Sequence, residues 1–269
     1  MQRLGMRFDL TRELLMLGLI LGRIMPIVFI SPFMAGQSAP PETKMSIGVL
    51  LAILVWPLAH DTLTGPVSML ALPFLLLMLK ETLIGFCIGF ANSHLFHAME
   101  TAGRFIDTAR GASMSEVMVP SSKQRATALG TLYSQLLLVF FVVIGGHHVF
   151  LNTLFHSFAV IPLNESPDLT PGLSPVAHYA IITCNQVLSI AVLLSAPAIA
   201  ATFITDLVFG ILNRVAPQLN AYFMAMPVKA MGALALILVS IQPFLDRLTI
   251  YVVDSLRAAE IMLGQLMRS

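Results

Sequence analysis

Charge is what this chain has least of. Only 11% of its 269 residues are Asp, Glu, Lys or Arg, against about a quarter in an ordinary soluble domain. Residues 169–205 contain none, and neither do 126–164, 62–79, 82–99 or 230–245. That scarcity excludes a conventional water-soluble fold. A net charge of +1 excludes the basic face that a nucleic-acid partner needs. Cysteine is scarce too. Cys87 and Cys184 lie far apart in apolar runs with no CxxC, so neither a metal framework nor a disulfide scaffold is indicated. They read as small buried hydrophobes. Catalytic signatures are also missing: no GxSxG, P-loop, GxGxxG or HExxH occurs, and Asp206 is the only acid between Asp168 and Asp246. The sequence therefore offers nothing for an enzyme or a cofactor.

What is present is apolar helix, with 57% of residues hydrophobic. A bilayer core about 30 Å thick needs roughly 20 apolar residues per span, so the runs allow about five to seven helices. The fold class is all-α, a polytopic helical membrane protein. Arg3, Arg7 and Arg12 precede an apolar run over 14–30, which imitates a secretory leader. Arg23 interrupts that run and no small-x-small cleavage site follows, so an uncleaved first helix is expected. Arg247, Arg257 and Arg268 place positive charge at the other end as well. The loops therefore show no clean positive-inside alternation.

Along the chain, the first helix is expected over 10–30, ending in a breaker cluster at 31–41 with Pro32, Gly36, Pro40 and Pro41. A second runs over 45–59, closed by Trp56, Pro57, His60 and Asp61. A third starts near Val67 and passes Phe90 toward Phe105, longer than one span, so that it must kink or project beyond the lipid. A polar connection over 107–125 follows. Helix four covers 126–144 and is stopped by Gly145, Gly146, His147 and His148. A short apolar piece over 149–160 and a Pro-rich loop over 162–175 lead to a long helix over 176–212, uncharged but for Asp206, with a kink expected at Pro197. A second polar break spans 213–229, a seventh helix 228–245, and an amphipathic tail begins at 246. Arg23-x-x-Pro26 and Arg214-x-x-Pro217 each lead through a broken stretch to Pro and Lys, a faint echo of the paired broken helices of transport proteins.

Three constellations stand out. Arg23, Arg214 and Lys229 are the charges most enclosed by apolar sequence. A basic group at mid-membrane costs about 2.5–3.5 kcal/mol on insertion scales. For Arg23, snorkelling from a helix end and a functional role stand equally open. Arg214 and Lys229, beside Asn213, Pro217, Gln218, Asn220 and Pro227, are expected in buried structural or pore roles. The second constellation is the connection DTARGASMSEVMVPSSKQR. It combines Asp107, Arg110, Glu116, Lys123 and Arg125 with small residues Gly111, Ala112, Ser113 and Ser115 and an apolar patch of Met114, Val117, Met118 and Val119, closing at Pro120. A loop with its own apolar patch packs against something. The third is His94, His97 and Glu100 on one helical face. It reads as polar packing between helices rather than a metal site, for which only His147 and His148 could complete the ligands.

The stretch DTARGASMSEVMVP resembles the hallmark loop of the T-type export-apparatus subunit of bacterial type III secretion systems, whose flagellar counterpart is the R-type export subunit. RVAPQLNAYFMAMPVK, from Arg214 to Lys229, resembles the family's second hallmark, and Arg23-x-x-Pro26 with Pro32 also fits. The resemblance covers nearly the whole chain. It implies a single helical domain over 1–269, built of broken helical hairpins in a cone-shaped helical export gate of the bacterial inner membrane. There one T-type copy would join five R-type and four S-type subunits and the U-type switch subunit, with unfolded secretion substrates passing through. It further implies that residues 107–120 project into the pore as a plug. The injectisome T-type subunit is preferred over the flagellar subunit. From another class, a multipass small-solute or ion transporter would need an ionisable residue within spans, and only Asp206 qualifies.

Overall fold

The computed structural model describes residues 10–35, 39–63, 70–111, 117–119, 124–164, 174–218, 220–221, 223–238 and 250–251. Eight helices carry the described chain: α1 Leu10–Ile30, α2 Pro32–Ala35, α3 Pro41–Asp61, α4 Ala71–Ala109, α5 Ala128–Val143, α6 Gly146–Val160, α7 Ser174–Val215 and α8 Phe223–Leu238. One antiparallel hairpin, β1 Val117–Val119 and β2 Gln124–Ala126, lies between α4 and α5. Four helices are long and apolar enough to cross a membrane, and α5 with α6 makes a fifth if the broken pair is one span. The protein is thus an all-α, multi-pass membrane protein, at the low end of the five to seven helices expected.

Several boundaries follow from local chemistry. α1 has the expected bounds. α3 starts earlier than expected because Pro40 and Pro41 initiate it. Pro40 is the extended cap residue and Pro41 occupies the first turn, where a missing N–H costs nothing. The break after α5 is also shorter than the Gly-Gly-His-His run suggested. Gly145 alone takes a positive φ of 79°, a conformation glycine adopts without strain, and Gly146 already opens α6. A Cβ at Gly146 would stand 2.6 Å from the Phe141 ring. α6 ends at Val160, just before Ile161-Pro162, where proline cannot continue a helix. The expected break over 213–229 contracts to a turn near 216–220. Arg214 belongs to the last turn of α7, and Pro227 and Lys229 lie inside α8. Pro227 lies in the second turn of that helix and forfeits the bond a backbone N–H would make there. Of the expected tail, only Ile250 and Tyr251 fall among the described residues, and they are helical.

The chain forms two compact units. One comprises residues 1–93, 147–179 and 256–269, the other 94–146 and 180–255. In the first, Met16, Leu19, Ile20, Ile24, Ile27 and Val28 of α1 are buried, as are Val55 of α3, Ile88 of α4 and Phe150, Leu154 and Phe158 of α6. Phe33 meets Phe150 edge-on at 4.6 Å. In the second, Phe96, Met99, Ala102 and Ile106 of α4 and Leu129, Tyr133, Leu137 and Phe141 of α5 are buried, with Phe96 edge-on to Phe141 at 5.7 Å. Hydroxyls in these apolar helices donate to their own backbone. Thr153 Oγ1 reaches Val149 O at 3.0 Å, and Thr205 Oγ1 reaches Ala201 O at 2.8 Å. Away from water this satisfies a donor that would otherwise be left unpaired.

Candidate functional site

The largest fully buried side chain of the described protein is charged. Arg23 has no exposed surface. α1 brings it against α4, where its Nε donates to Glu81 Oε2 at 2.5 Å and its Nη2 to Glu81 Oε1 at 3.0 Å. Two further donations cross to the end of α6, from Nη1 to Ser157 O at 2.7 Å and from Nη2 to Ile161 O at 2.9 Å. The guanidinium lies 4.3 Å over the Phe158 ring. Lys80 joins from the same side. Its Nζ sits 2.7 Å from Glu81 Oε1 and donates to Pro162 O at 3.0 Å and Leu163 O at 3.2 Å. Two cations thus serve carbonyls at the C-terminus of α6, where the last backbone acceptors lack helical partners and the helix dipole favours positive charge; Ser157 O is shared, accepting also from the Ile161 N–H at 3.0 Å. Glycines make this approach possible. A Cβ at Gly85 would fall on the Arg23 carbonyl, and one at Gly89 would stand 3.2 Å from Ile27 Cα.

In the second unit, Asp107 is the buried counterpart. It lies on α4, not in a loop, and is 1% exposed. Its Oδ2 accepts from the Leu129 N–H at 2.8 Å, and its Oδ1 is 2.5 Å from Arg110 Nη2. The hydroxyl of Thr127, the cap residue of α5, accepts from the Gly130 N–H at 3.2 Å. Together they supply acceptors to the first turn of α5, as a helix N-terminus requires. A Cβ at Gly103 would overlap the backbone of Gly130 and Leu129, so α4 and α5 touch backbone to backbone here. Gly111, with φ of 79°, ends α4 in the left-handed cap that glycine favours. The hairpin then pairs Val117 with Ala126, Met118 with Arg125 and Val119 with Gln124. Ala112, Ser113, Met114, Glu116 and Pro120 lie outside the described residues.

Also in the second unit, Lys229 of α8 pairs with Asp206 of α7, their side chains 13% and 53% exposed. Arg214, Pro217, Gln218, Asn220 and Pro227 are exposed. Of the two residues expected in buried structural or pore roles, Lys229 is largely buried and paired, and Arg214 is exposed in the lone chain. The long basic side chain of Arg214 ends a helix, where it extends outward at little cost.

Residues 14–253 match the family described as "Bacterial export proteins, family 1". The chain belongs to that family. Among its relatives, the flagellar biosynthetic protein FliR of Bacillus subtilis is 28% identical over 213 residues, 78% of this chain and 80% of the relative. The Yop proteins translocation protein T of Yersinia pestis is 31% identical over 234 residues, 86% and 88% of the two chains. The secretion system apparatus protein SsaT of Salmonella typhimurium is 33% identical over 169 residues, 61% and 62%. The matched span of the export family includes both polar segments singled out in the sequence and all the buried charges described above.

For this member of the export family, the structure splits the sequence candidates into separate places. Asp107, Arg110 and Gly111 lie at the end of α4 in one unit, whereas Arg23 is a core residue of the other. His94 is buried and His97 exposed. Glu100 pairs with Arg104 at 2.6 Å. Among the described residues no group of three His, Cys, Asp or Glu is placed to hold a metal. Lys80 and Glu81 were missed by motif reading. The available signal was their isolation, since they are the two residues separating the charge-free runs 62–79 and 82–99. A charged pair so placed must face protein or water. Asp107→Ala should cost about 1–2 kcal/mol, the usual loss when a helix N-terminus loses its acceptor. Asp107→Asn should recover most of that, because its carbonyl still accepts from Leu129. Thermal unfolding of the purified protein in detergent gives the comparison. Equal midpoints for wild type and Asp107→Ala would free Asp107 from the scaffold and return it to the loop.

Proposed function

We propose that this export-family protein is a non-enzymatic core subunit of the inner-membrane export gate of a bacterial type III secretion system, where with R-type and S-type subunits it builds the entry pore for unfolded proteins. The observation that carries this reading is apolar surface beyond what lipid can cover. The candidate span of α7 runs over Ala180–Val215, 36 residues, with Asp206 and Arg214 as its only charges. At 1.5 Å rise per residue that is about 54 Å, against a hydrocarbon layer of about 30 Å. Large exposed hydrophobics mark it from Ile181 and Ile182, through Leu193 and Phe203, to Val215. Fitting it by tilt alone would need roughly 55°, beyond the 0–40° seen for membrane helices. Protein partners of equal apolarity resolve the mismatch. The relatives named for flagellar biosynthesis and for translocation and secretion support the same reading. The transporter alternative loses its one candidate, because Asp206 carries Lys229 as a counter-ion.

Within that gate the segment from Asp107 to Pro120 is the plug. Asp107, paired with Arg110, holds the end of α4 against the start of α5, and Met114 and Met118 bring adaptable side chains. Arg23 and Lys229 each hold helices together within their own unit, and the exposed Arg214, Gln218 and Asn220 present polar groups to partners or the pore. One co-expression experiment tests the reading. With R- and S-type subunits the chain should co-purify as a stable complex in mild detergent, and alone it should aggregate. Deleting residues 111–118 should leave the complex assembled and raise its resting ion conductance in planar bilayers. A monodisperse monomer that ignores both partners would overturn the gate assignment, and an unchanged leak would overturn the plug.

A further inference from the structure

We infer that the last turns of α7 seat a membrane helix of another gate subunit, one that brings a basic side chain to Asp206, a small residue to Gly210 and a carboxylate to Arg214. The inference rests on the export-gate reading and states the chemistry of the partner. Asp206, Gly210 and Arg214 follow one another at four-residue spacing in one continuous helix, so they form a row along its surface. All three are exposed. Phe203, also exposed, belongs to the same face one turn earlier. Asp206 and Arg214 are the only charges of the candidate span Ala180–Val215. Within the chain their row is unfinished. Lys229 pairs with Asp206 Oδ1, but Oδ2 meets no donor among the described residues, and Arg214 has no ion pair among them. A Cβ at Gly210 would meet nothing within 4 Å.

Neither lipid nor water suits this row. The span is longer than the hydrocarbon layer, so the bilayer covers one half of it or the other. With lipid over the second half, Asp206 lies roughly 14 Å inside the end of α7. A carboxylate with one unfilled oxygen then faces hydrocarbon, which ionisable side chains avoid. With lipid over the first half, Phe203, Ile204, Leu207, Val208 and Ile211 stand in water as one exposed apolar surface, of the kind that marks a protein contact. A partner helix satisfies both placements. Glycine lets two helix backbones approach closely, and the charges one turn to either side of that crossing fix its register. A second copy of this chain does not fit. Related by a two-fold axis along the membrane normal, two copies would set Asp206 against Asp206 and Arg214 against Arg214, and such like-charge contacts are repulsive. The complement is therefore a different chain, with the opposite charge at each end of the row.

Photo-cross-linking in the complex co-expressed with R- and S-type subunits tests this. With p-benzoylphenylalanine in place of Phe203, irradiation should join the chain to one of those two subunits. Arg214→Glu reverses one end of the row and should cut that adduct at least about tenfold. Gly210→Leu should cut recovery of the complex by about the same factor, since bulk at a close helix crossing is poorly tolerated. The unfolding midpoint of the detergent-solubilised chain should not fall, because the new side chain meets open space within it. Gly232→Leu, on α8 and equally open, should leave both recovery and midpoint at the wild-type level. Adducts to lipid alone, to a second copy or to nothing overturn the docked helix and leave the export-gate reading standing. So do equal losses for Gly210→Leu and Gly232→Leu, or an adduct indifferent to Arg214→Glu. Failure of the wild-type chain to co-purify with either subunit overturns the export-gate reading, and this inference with it.

Discussion

Arg23→Ala should unfold the first unit. The substitution removes the ligand of two carboxylate oxygens and two carbonyls at once. Glu81, itself with no exposed surface, keeps only Lys80, and Ser157 O and Ile161 O lose the charged donor at the end of α6. Breaking a buried pair by removing one partner costs about 3–5 kcal/mol, a large share of the roughly 5–15 kcal/mol that holds a folded domain together. Arg23→Lys should not rescue it. One ammonium cannot span both carboxylate oxygens and two separate carbonyls, whereas the planar guanidinium is shaped for that fork. Replacing both Arg23 and Glu81 by Met should be milder than Arg23→Ala alone, since the Glu81 carboxylate is then not left without Arg23, although Lys80 loses its carboxylate partner. Lys80 would retain the carbonyls of Pro162 and Leu163. Folded yield from membranes and a double-mutant cycle on thermal unfolding measure all three. A change below about 0.5 kcal/mol for Arg23→Ala would place it among ordinary surface substitutions, and the cluster would have no structural role.

Arg23 also shows where sequence reading stops. Its isolation in an apolar run marked it as costly, but snorkelling and a functional role stood equally open because its acceptors lie 58, 134 and 138 residues away. Only tertiary structure joins them. Asp107 failed in the opposite direction. It stands at the head of a polar run and so read as part of the loop, yet α4 continues through it and turns it onto the α5 terminus. The apolar helices were legible to within a few residues because their length and composition dominate, and α1 was matched at both ends. Prolines misled where their position mattered more than their presence. Pro41 begins a helix and Pro227 is carried inside one, so breaks drawn around them were too long. The exposed position of Arg214 and the buried one of Lys229 were not separable either, since both sit beside amides in the same short polar segment.

Four-residue glycine spacing was a further unread signal, and it supplies the second large effect. In a helix, Gly→Ala ordinarily stabilises by about 0.8–1.0 kcal/mol. At Gly85 the sign should reverse. The new Cβ would fall on the carbonyl of Arg23, and the obstruction is backbone, with Arg23 C at 2.9 Å and Cα at 3.1 Å. No rotamer change relieves it, so α1 must move off α4. That movement also draws Arg23 away from Glu81, adding the cost of a weakened buried ion pair to the usual 1–3 kcal/mol of overpacking. Gly103→Ala meets the same kind of obstacle, the backbone of Leu129 and Gly130. Gly210 and Gly232 are the matched controls, because a Cβ there meets nothing within 4 Å. The expected order of unfolding midpoints for the detergent-solubilised chain is therefore Gly210→Ala and Gly232→Ala at or above wild type, with Gly103→Ala and Gly85→Ala well below. Gly85→Ala should fall furthest, by more than 2 kcal/mol, because it alone combines a backbone clash with the Arg23 cluster. If Gly85→Ala unfolds no earlier than Gly210→Ala, the helices α1 and α4 do not meet backbone to backbone in the membrane.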